Sequence, residues 1–349
     1  RLAIAGPDAL AFRTPAEMHG EDLSTVSNFT IEAGQRVSFV LTWFPSHEPP
    51  PEPVDPDAAL SDTETYWHDW AAGCMHTGRY HEEIHRSLLV LKALTYDPTG
   101  GIVAAPTTSL PEEIGGVRNW DYRFCWLRDA SLTLLAMLKV GYRDEALAWR
   151  EWLLRAGAGD PAAGQIMYGI AGERRLDERV LEWLPGFANS RPVRIGNAAS
   201  AQLQLDVYGE LLDAAYQTAE HGVIHSDFGW SLLKHLLSWL EHGWREKDAG
   251  IWEVRGPNRH FTHSKVMAWV AFDRAVRMHD EFGLDGPVDC WRAARDEIKA
   301  QVLAHGWSET RQAFTQSYGA DALDASALLI PIVGFLPATD PRVEATVEA

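Results

Sequence analysis

Disulfide chemistry has little to work with in this chain. Its 349 residues include three cysteines, Cys74, Cys125 and Cys290. They are odd in number and far apart, which argues against a disulfide framework and shows no zinc-type spacing. A reducing, cytoplasmic setting is the expectation that follows. Long apolar runs are missing too. No stretch approaches the roughly 18 residues of a membrane span, and the apolar segment Ser131–Val140 is broken by Thr133 and Lys139. Basic charge is scarce: 31 Lys and Arg against 49 Asp and Glu leave a formal net charge of −18. Such a chain repels phosphate backbones and anionic lipid, so neither nucleic acid nor a membrane is expected as a partner. There is no phosphate-binding glycine loop and no Gly-x-Ser-x-Gly elbow. The first residue is Arg1 rather than Met, so the sequence is expected to be part of a longer protein.

Aromatics are plentiful: 15 Trp, 9 Tyr and 12 Phe. Two readings fit. One is a large helical core; the other is a sugar site, where aromatic faces stack on the apolar faces of pyranose rings.

Residues 1–44 read as strands, the end of a β-domain. Arg36–Trp43 alternates, with Val37, Phe39, Leu41 and Trp43 on one predicted face. Phe29–Ile31 would pair with it across a turn at 32–35. Pro45, Pro49, Pro50, Pro51, Pro53 and Pro56 make an extended linker, which with a helix over 62–72 gives a linker segment 45–77. Beyond it the pattern is helical: 80–96, 128–140, 143–157, 198–219, 228–243, 262–282, 287–304, 321–333 and a start near 340. Over 198–219 the stripe Leu205, Tyr208, Leu212 and Tyr216 has the helical period. Over 262–282 apolar residues run nearly all round, which calls for burial on several sides. Alternating inner and outer helices with long loops point to a mainly α helical barrel over 78–349. The connections 97–128 and 160–198 are long enough to be functional.

Two clusters could carry chemistry. Gly115–Asp129 packs two aspartates, three arginines and four aromatics into 15 residues ahead of a helix. Carboxylates and guanidiniums can fix sugar hydroxyls directionally. Equally, Asp129 could be a first-turn acid paired with an arginine. In Asp248–Gly256, Glu253 sits between Trp252 and Val254. A carboxyl held against apolar groups has a raised pKa, which suits a general acid, whereas a turn glutamate paired with Arg255 would be inert. His81-Glu82-Glu83-Ile84-His85 matches a zinc-helix pattern, but the residues after it continue an ordinary amphipathic helix. No metal and no cofactor is expected.

In this order the segments Asn119–Asp129 (NWDYRFCWLRD), Gly196–Ser200, Gly250–Arg255 and His263–Trp269 resemble glycoside hydrolase family 15, which holds glucoamylases, glucodextranases and bacterial trehalases. The resemblance implies a six-fold (α/α) barrel preceded by a β-sandwich, and inverting, exo-acting cleavage of an α-glucoside or trehalose. It implies Glu253 as the general acid. It places Arg128 and Asp129 on the terminal glucose, with Trp120, Asp121, Tyr122, Arg123, Trp126, Trp252, Arg255 and Lys265 as further substrate-binding residues. The motif carrying the family's general base is not in this sequence; Glu309 comes too early in the chain for that role. Nine helices remain for a twelve-helix barrel, so it is expected to be incomplete, with apolar faces such as that of 262–282 exposed. Competing readings are a non-catalytic sugar-binding fragment, and a phosphorylase on a similar barrel using His260, His263 and Lys265.

Overall fold

The computed structural model describes residues 1–157, 164–222 and 226–349. Positions 160–163 of the long connection 160–198 lie outside the described residues. The chain divides into two compact units, Arg1–Gly73 and Cys74–Ala349.

In the first unit β1 (Leu2–Ala5), β2 (Asp8–Arg13) and β5 (Val40–Pro45) form an antiparallel sheet with β2 in the middle. β3 (His19–Glu21) and β4 (Ser24–Val26) make a separate hairpin. The expected pairing of 29–31 with 36–43 is not formed. The strand starts at Val40 and pairs with β2, Leu10 opposite Trp43 and Phe12 opposite Leu41. Register decides the faces. Ala9, Ala11 and Phe44 are buried together, whereas Leu41 and Trp43 are exposed. The alternation was legible, but the face it buries is the opposite one. After the prolines, α1 (Pro56–Ala72) opens with Pro56 in its first turn, where no N–H is needed. The Asp55 side chain caps it, accepting from the N–H groups of Asp57 and Ala58. α1 therefore starts six residues earlier than the predicted 62, and it belongs to the first unit.

The second unit is built from helix pairs. α2 (His81–Ala93) leads into α3 (Leu127–Lys139) and α4 (Asp144–Ala156), then α5 (Asp206–Glu220) and α6 (Asp227–Gly243), then α7 (Thr262–Phe282) and α8 (Val288–His305). α3 packs on α5 and α5 on α7, while α4, α6 and α8 each lie against the helix before them. This is the inner-and-outer alternation the sequence predicts. Gly209 allows the closest approach, since a side chain there would meet the Met267 carbonyl oxygen at 2.2 Å. Val266, Met267, Ala268, Trp269, Val270, Ala271 and Phe272 are all buried. The expected exposure of this helix is corrected: α5, α6, α8 and α9 (Leu329–Ile332) pack against it and cover it. α10 (Pro341–Glu348) follows Asp340, which caps it by accepting from Arg342 N.

Two predicted helices are shorter than read. Residues 198–201 form one tight turn capped by Asn197, and Gln202 is extended before α5 begins at Asp206. The stretch 321–333 is a turn at 325–328 followed by α9, with Gly334 at positive φ just beyond. Among the described residues no helix is long and apolar enough to cross a membrane.

Candidate active site

The loop joining short strands to α3, the turn before α5 and the loop before α7 meet around a cavity of about 880 Å³. Trp120, Tyr122, Trp126, Arg128 and Asp129 line it from the first motif, and Ile251–Arg255 from the second. Glu112, Arg118, Asn197 and Ala199 complete much of the rest.

Glu253 sits on a strained turn. Its φ is +53° and its N–H donates to the Gly250 carbonyl oxygen at 3.1 Å. A non-glycine residue in that region costs about 1 kcal/mol or more, the kind of strain that gathers at functional sites. Gly250 makes the turn possible: its φ is +71°, and a Cβ there would meet the Phe261 ring at 2.7 Å. The Glu253 side chain is 20% exposed. Its Oε1 accepts from Trp126 Nε1 at 2.6 Å and lies 3.6 Å from Arg128 Nη2. Burial pushes its carboxyl pKa up, and neighbouring Asp129 adds to this; Arg128, Trp126 and Gln204 act against it.

Arg128 enters from the first turn of α3. Nη1 donates to Gln204 Oε1 at 3.1 Å and to Asp206 Oδ2 at 3.2 Å. Nη2 lies 3.4 Å from Asp129 Oδ2. Burial disfavours its charge, but Asp206, Asp129 and Glu253 more than offset that and hold it cationic. Asp129 keeps part of its carboxylate open to the cavity, at 43% exposure. Burial raises its pKa while Arg128 lowers it.

Aromatic rings make up much of the cavity wall. The Tyr122 and Trp126 rings are 5.8 Å apart, and the exposed Trp252 ring is anchored by Nε1 to Asp324 Oδ2 at 2.8 Å. Trp120 carries the guanidiniums of Arg255 and Arg194 over its ring at 4.1 and 4.6 Å. Both arginines pair with Glu178, at 2.6 and 3.4 Å. Trp120 Nε1 donates to Glu112, which also pairs with Arg118 at 3.1 Å.

Three predicted site residues lie elsewhere. Asp121 is buried, binds Arg123 through two 2.8 Å hydrogen bonds and accepts from Gly196 N. Its own carbonyl oxygen accepts from Asn197 Nδ2. Asp121 and Arg123 thus dock the Gly196–Asn197 segment beside the first motif, and neither lines the cavity. Lys265 is fully buried on α7, donating from Nζ to the carbonyl oxygens of Trp244 and Glu246. Burial lowers its pKa to about 8. His260 stacks on Tyr318 and His263 is buried on α7, so the cationic group suggesting phosphate chemistry does not line the cavity either. Glu309 is held by Gln312, also outside the lining.

The His81 and His85 rings lie 4.1 Å apart at a tilt of 48°, and His81 Nδ1 bonds the His76 carbonyl oxygen. Among the described residues no group of three or more His, Cys, Asp or Glu side chains could hold a metal ion.

The reading of single residues missed Gln202, Gln204, Asp206 and Glu178. A signal was present for the first three. Gln202, Gln204 and Asp206 alternate with Leu203 and Leu205, as an extended segment with one polar face would. The helix predicted over 198–219 hid it.

The chain matches the sequence profile described as glycosyl hydrolases family 15 over residues 78–349. A trehalase of Thermoplasma volcanium is 41% identical over 81% of this chain and 45% of its own length. A trehalase of Mycolicibacterium smegmatis is 43% identical over 90% of this chain and 48% of its own. The chain spans about half the length of these curated relatives. Among solved structures, a bacterial glucoamylase complexed with acarbose superposes with a TM-score of 0.70 at 12% identity, covering 99% of this chain and 56% of that one. A glycosidase variant in complex with glucose gives 0.60 at 16% identity, over 77% and 68%. The helical-barrel fold is shared with these structures, and by the profile and the trehalase relatives together the chain belongs to glycosyl hydrolases family 15.

Proposed function

We propose that this protein hydrolyses an α-glucosidic bond at a terminal glucose with inversion, and that trehalose is its substrate. The observation that carries the reading is the Glu253 carboxyl. It is held in a cavity by the Trp126 N–H at 2.6 Å, with burial raising its pKa. A carboxyl that stays protonated nearer neutral pH can donate to a leaving glycosidic oxygen. Glucose binds with an apolar face on the aromatic wall, and Arg128 and Asp129 bond its hydroxyls. Glu253 protonates the bridging oxygen as the bond to the anomeric carbon breaks, and water adds from the opposite face of the ring. The other carboxylates lining the cavity already have partners. Asp129 is paired with Arg128, and Glu112 with Trp120 and Arg118. Neither is assigned to water activation. That relatives at 41% and 43% identity are named trehalases supports trehalose as the substrate.

The test is to incubate the intact protein with trehalose, maltose and isomaltose and follow anomeric protons by NMR. Release of β-glucose first from the attacked unit, fastest on trehalose, is expected. α-Glucose from that unit would sink the inverting assignment, and faster cleavage of maltose would overturn trehalose.

A further inference from the structure

We propose that Asp206, one layer beneath the cavity, is a positioning residue that holds the Arg128 guanidinium back from Glu253 and so keeps Glu253 protonated for its task. The proposal rests on the assignment of Glu253 as the acid and adds the residue that sets its working range.

The geometry is a shared cation. The two nitrogens of Arg128 divide between partners. Nη1 faces Asp206 Oδ2 at 3.2 Å and Gln204 Oε1 at 3.1 Å, and Nη2 faces Asp129 at 3.4 Å and Glu253 at 3.6 Å. The nearer bonds run away from Glu253. Asp206 stands at the first position of α5 and is fully buried. Its Oδ1 has no hydrogen-bond partner among the described residues. A buried carboxylate without other strong donors interacts with its cation largely unscreened. Gln204 closes the ring. It donates to Gln202 Oε1 at 3.1 Å, and Gln202 donates to the Glu253 carbonyl oxygen at 3.3 Å.

Other charges around the pair do not replace Asp206. It is faced by Arg128 and Asp129 from α3, by Glu210 from its own helix, by Asp248 from the loop before α7 and by His263 from α7. Burial raises Glu210 to about 8 and lowers His263, so near neutral pH both tend to be uncharged. Asp248 accepts from Leu205 N and interacts with Lys265. Glu253 is faced by Arg128 and Asp129 and has the Tyr122 hydroxyl nearby. Removing the charge of Asp206 would leave Arg128 with two carboxylates, one of them Glu253. The acid would then ionise at lower pH.

The experiment measures kcat/KM for trehalose against pH in the intact protein. Asp206→Asn should move the alkaline limb down by about one pH unit, and Asp206→Ser, a second neutral variant, should do the same should the first not fold. Asp206→Glu keeps the charge and should leave the limb near its wild-type position. Circular dichroism establishes which variants are folded. A folded neutral variant with an unmoved limb overturns the proposal, as does an equal shift in Asp206→Glu, which would make packing the cause. Glu253→Gln separates this from the parent reading. Retained turnover there would remove Glu253 as the acid. Lost turnover there together with unmoved limbs at Asp206 would remove only the positioning role.

Discussion

The indole N–H of Trp126 reaches Oε1 of Glu253 at 2.6 Å, across 127 positions of sequence. The bond ties the residue before α3 to the strained turn before α7, so the two motifs are halves of one device. A hydrogen bond given to a carboxylate favours its ionised form. Trp126→Phe should therefore raise the Glu253 pKa further and move the alkaline limb of kcat/KM to higher pH, by about half a unit to one unit. This is opposite in sign to the effect expected at Asp206. A pH–rate profile checks it, and a downward shift would contradict the assignment of this bond.

Glu253→Gln keeps the shape of the side chain but cannot supply the proton. Turnover on trehalose should fall about 10²–10⁴-fold, with the melting temperature changed by only a few degrees. Steady-state assays and a thermal melt check both halves.

Asp129 has its side chain partly open to the cavity, with Arg128 paired to it at 3.4 Å. A site built for a hydroxyl loses heavily when that partner is removed. Asp129→Ala should lower kcat/KM far more than it lowers stability, which for a partly exposed side chain should change by about 1 kcal/mol or less. Comparing the two losses in one variant is the check.

Lys265 supplies the contrasting case. Its Nζ, buried within α7, bonds two backbone carbonyl oxygens, and the residue is not among those that line the cavity. Lys265→Met should cost about 2–4 kcal/mol of stability by leaving those acceptors unpaired. KM and the pH profile of the folded fraction should stay as in the wild type.

Glu210 gives a pH-dependent stability. Burial raises its carboxyl pKa to about 8, well above the value near 4.5 of an ordinary glutamate. The folded chain then holds a proton that the unfolded chain releases, so folding is favoured at low pH. The advantage is lost as pH climbs from about 4.5 to about 8. Glu210→Gln should therefore gain melting temperature relative to the wild type as pH rises through that window. Melts at pH 5 and pH 8.5 test the sign.

Chain chemistry alone determined much of this protein. The helical period from residue 80 onward, the prolines of 45–56 and the density of Trp, Arg and Asp in 115–129 are local properties. They gave the helices and both cavity-lining motifs, since side-chain spacing reads directly as a helix face or a loop. Tertiary structure decided the rest. Glycines and alternating residues do not say which face of β5 is buried; pairing with β2 does, and it turned Leu41 and Trp43 outward. Asp121, Asp129 and Lys265 look equally polar in the sequence. One docks a loop, one opens to the cavity and one caps buried carbonyls. The alternation of Gln202, Gln204 and Asp206 marks a polar face, but what Asp206 does depends on Arg128, 78 positions away, and only folding brings the two together. A carboxylate's role is set by the charges and the water that folding leaves around it, and no spacing rule carries that information.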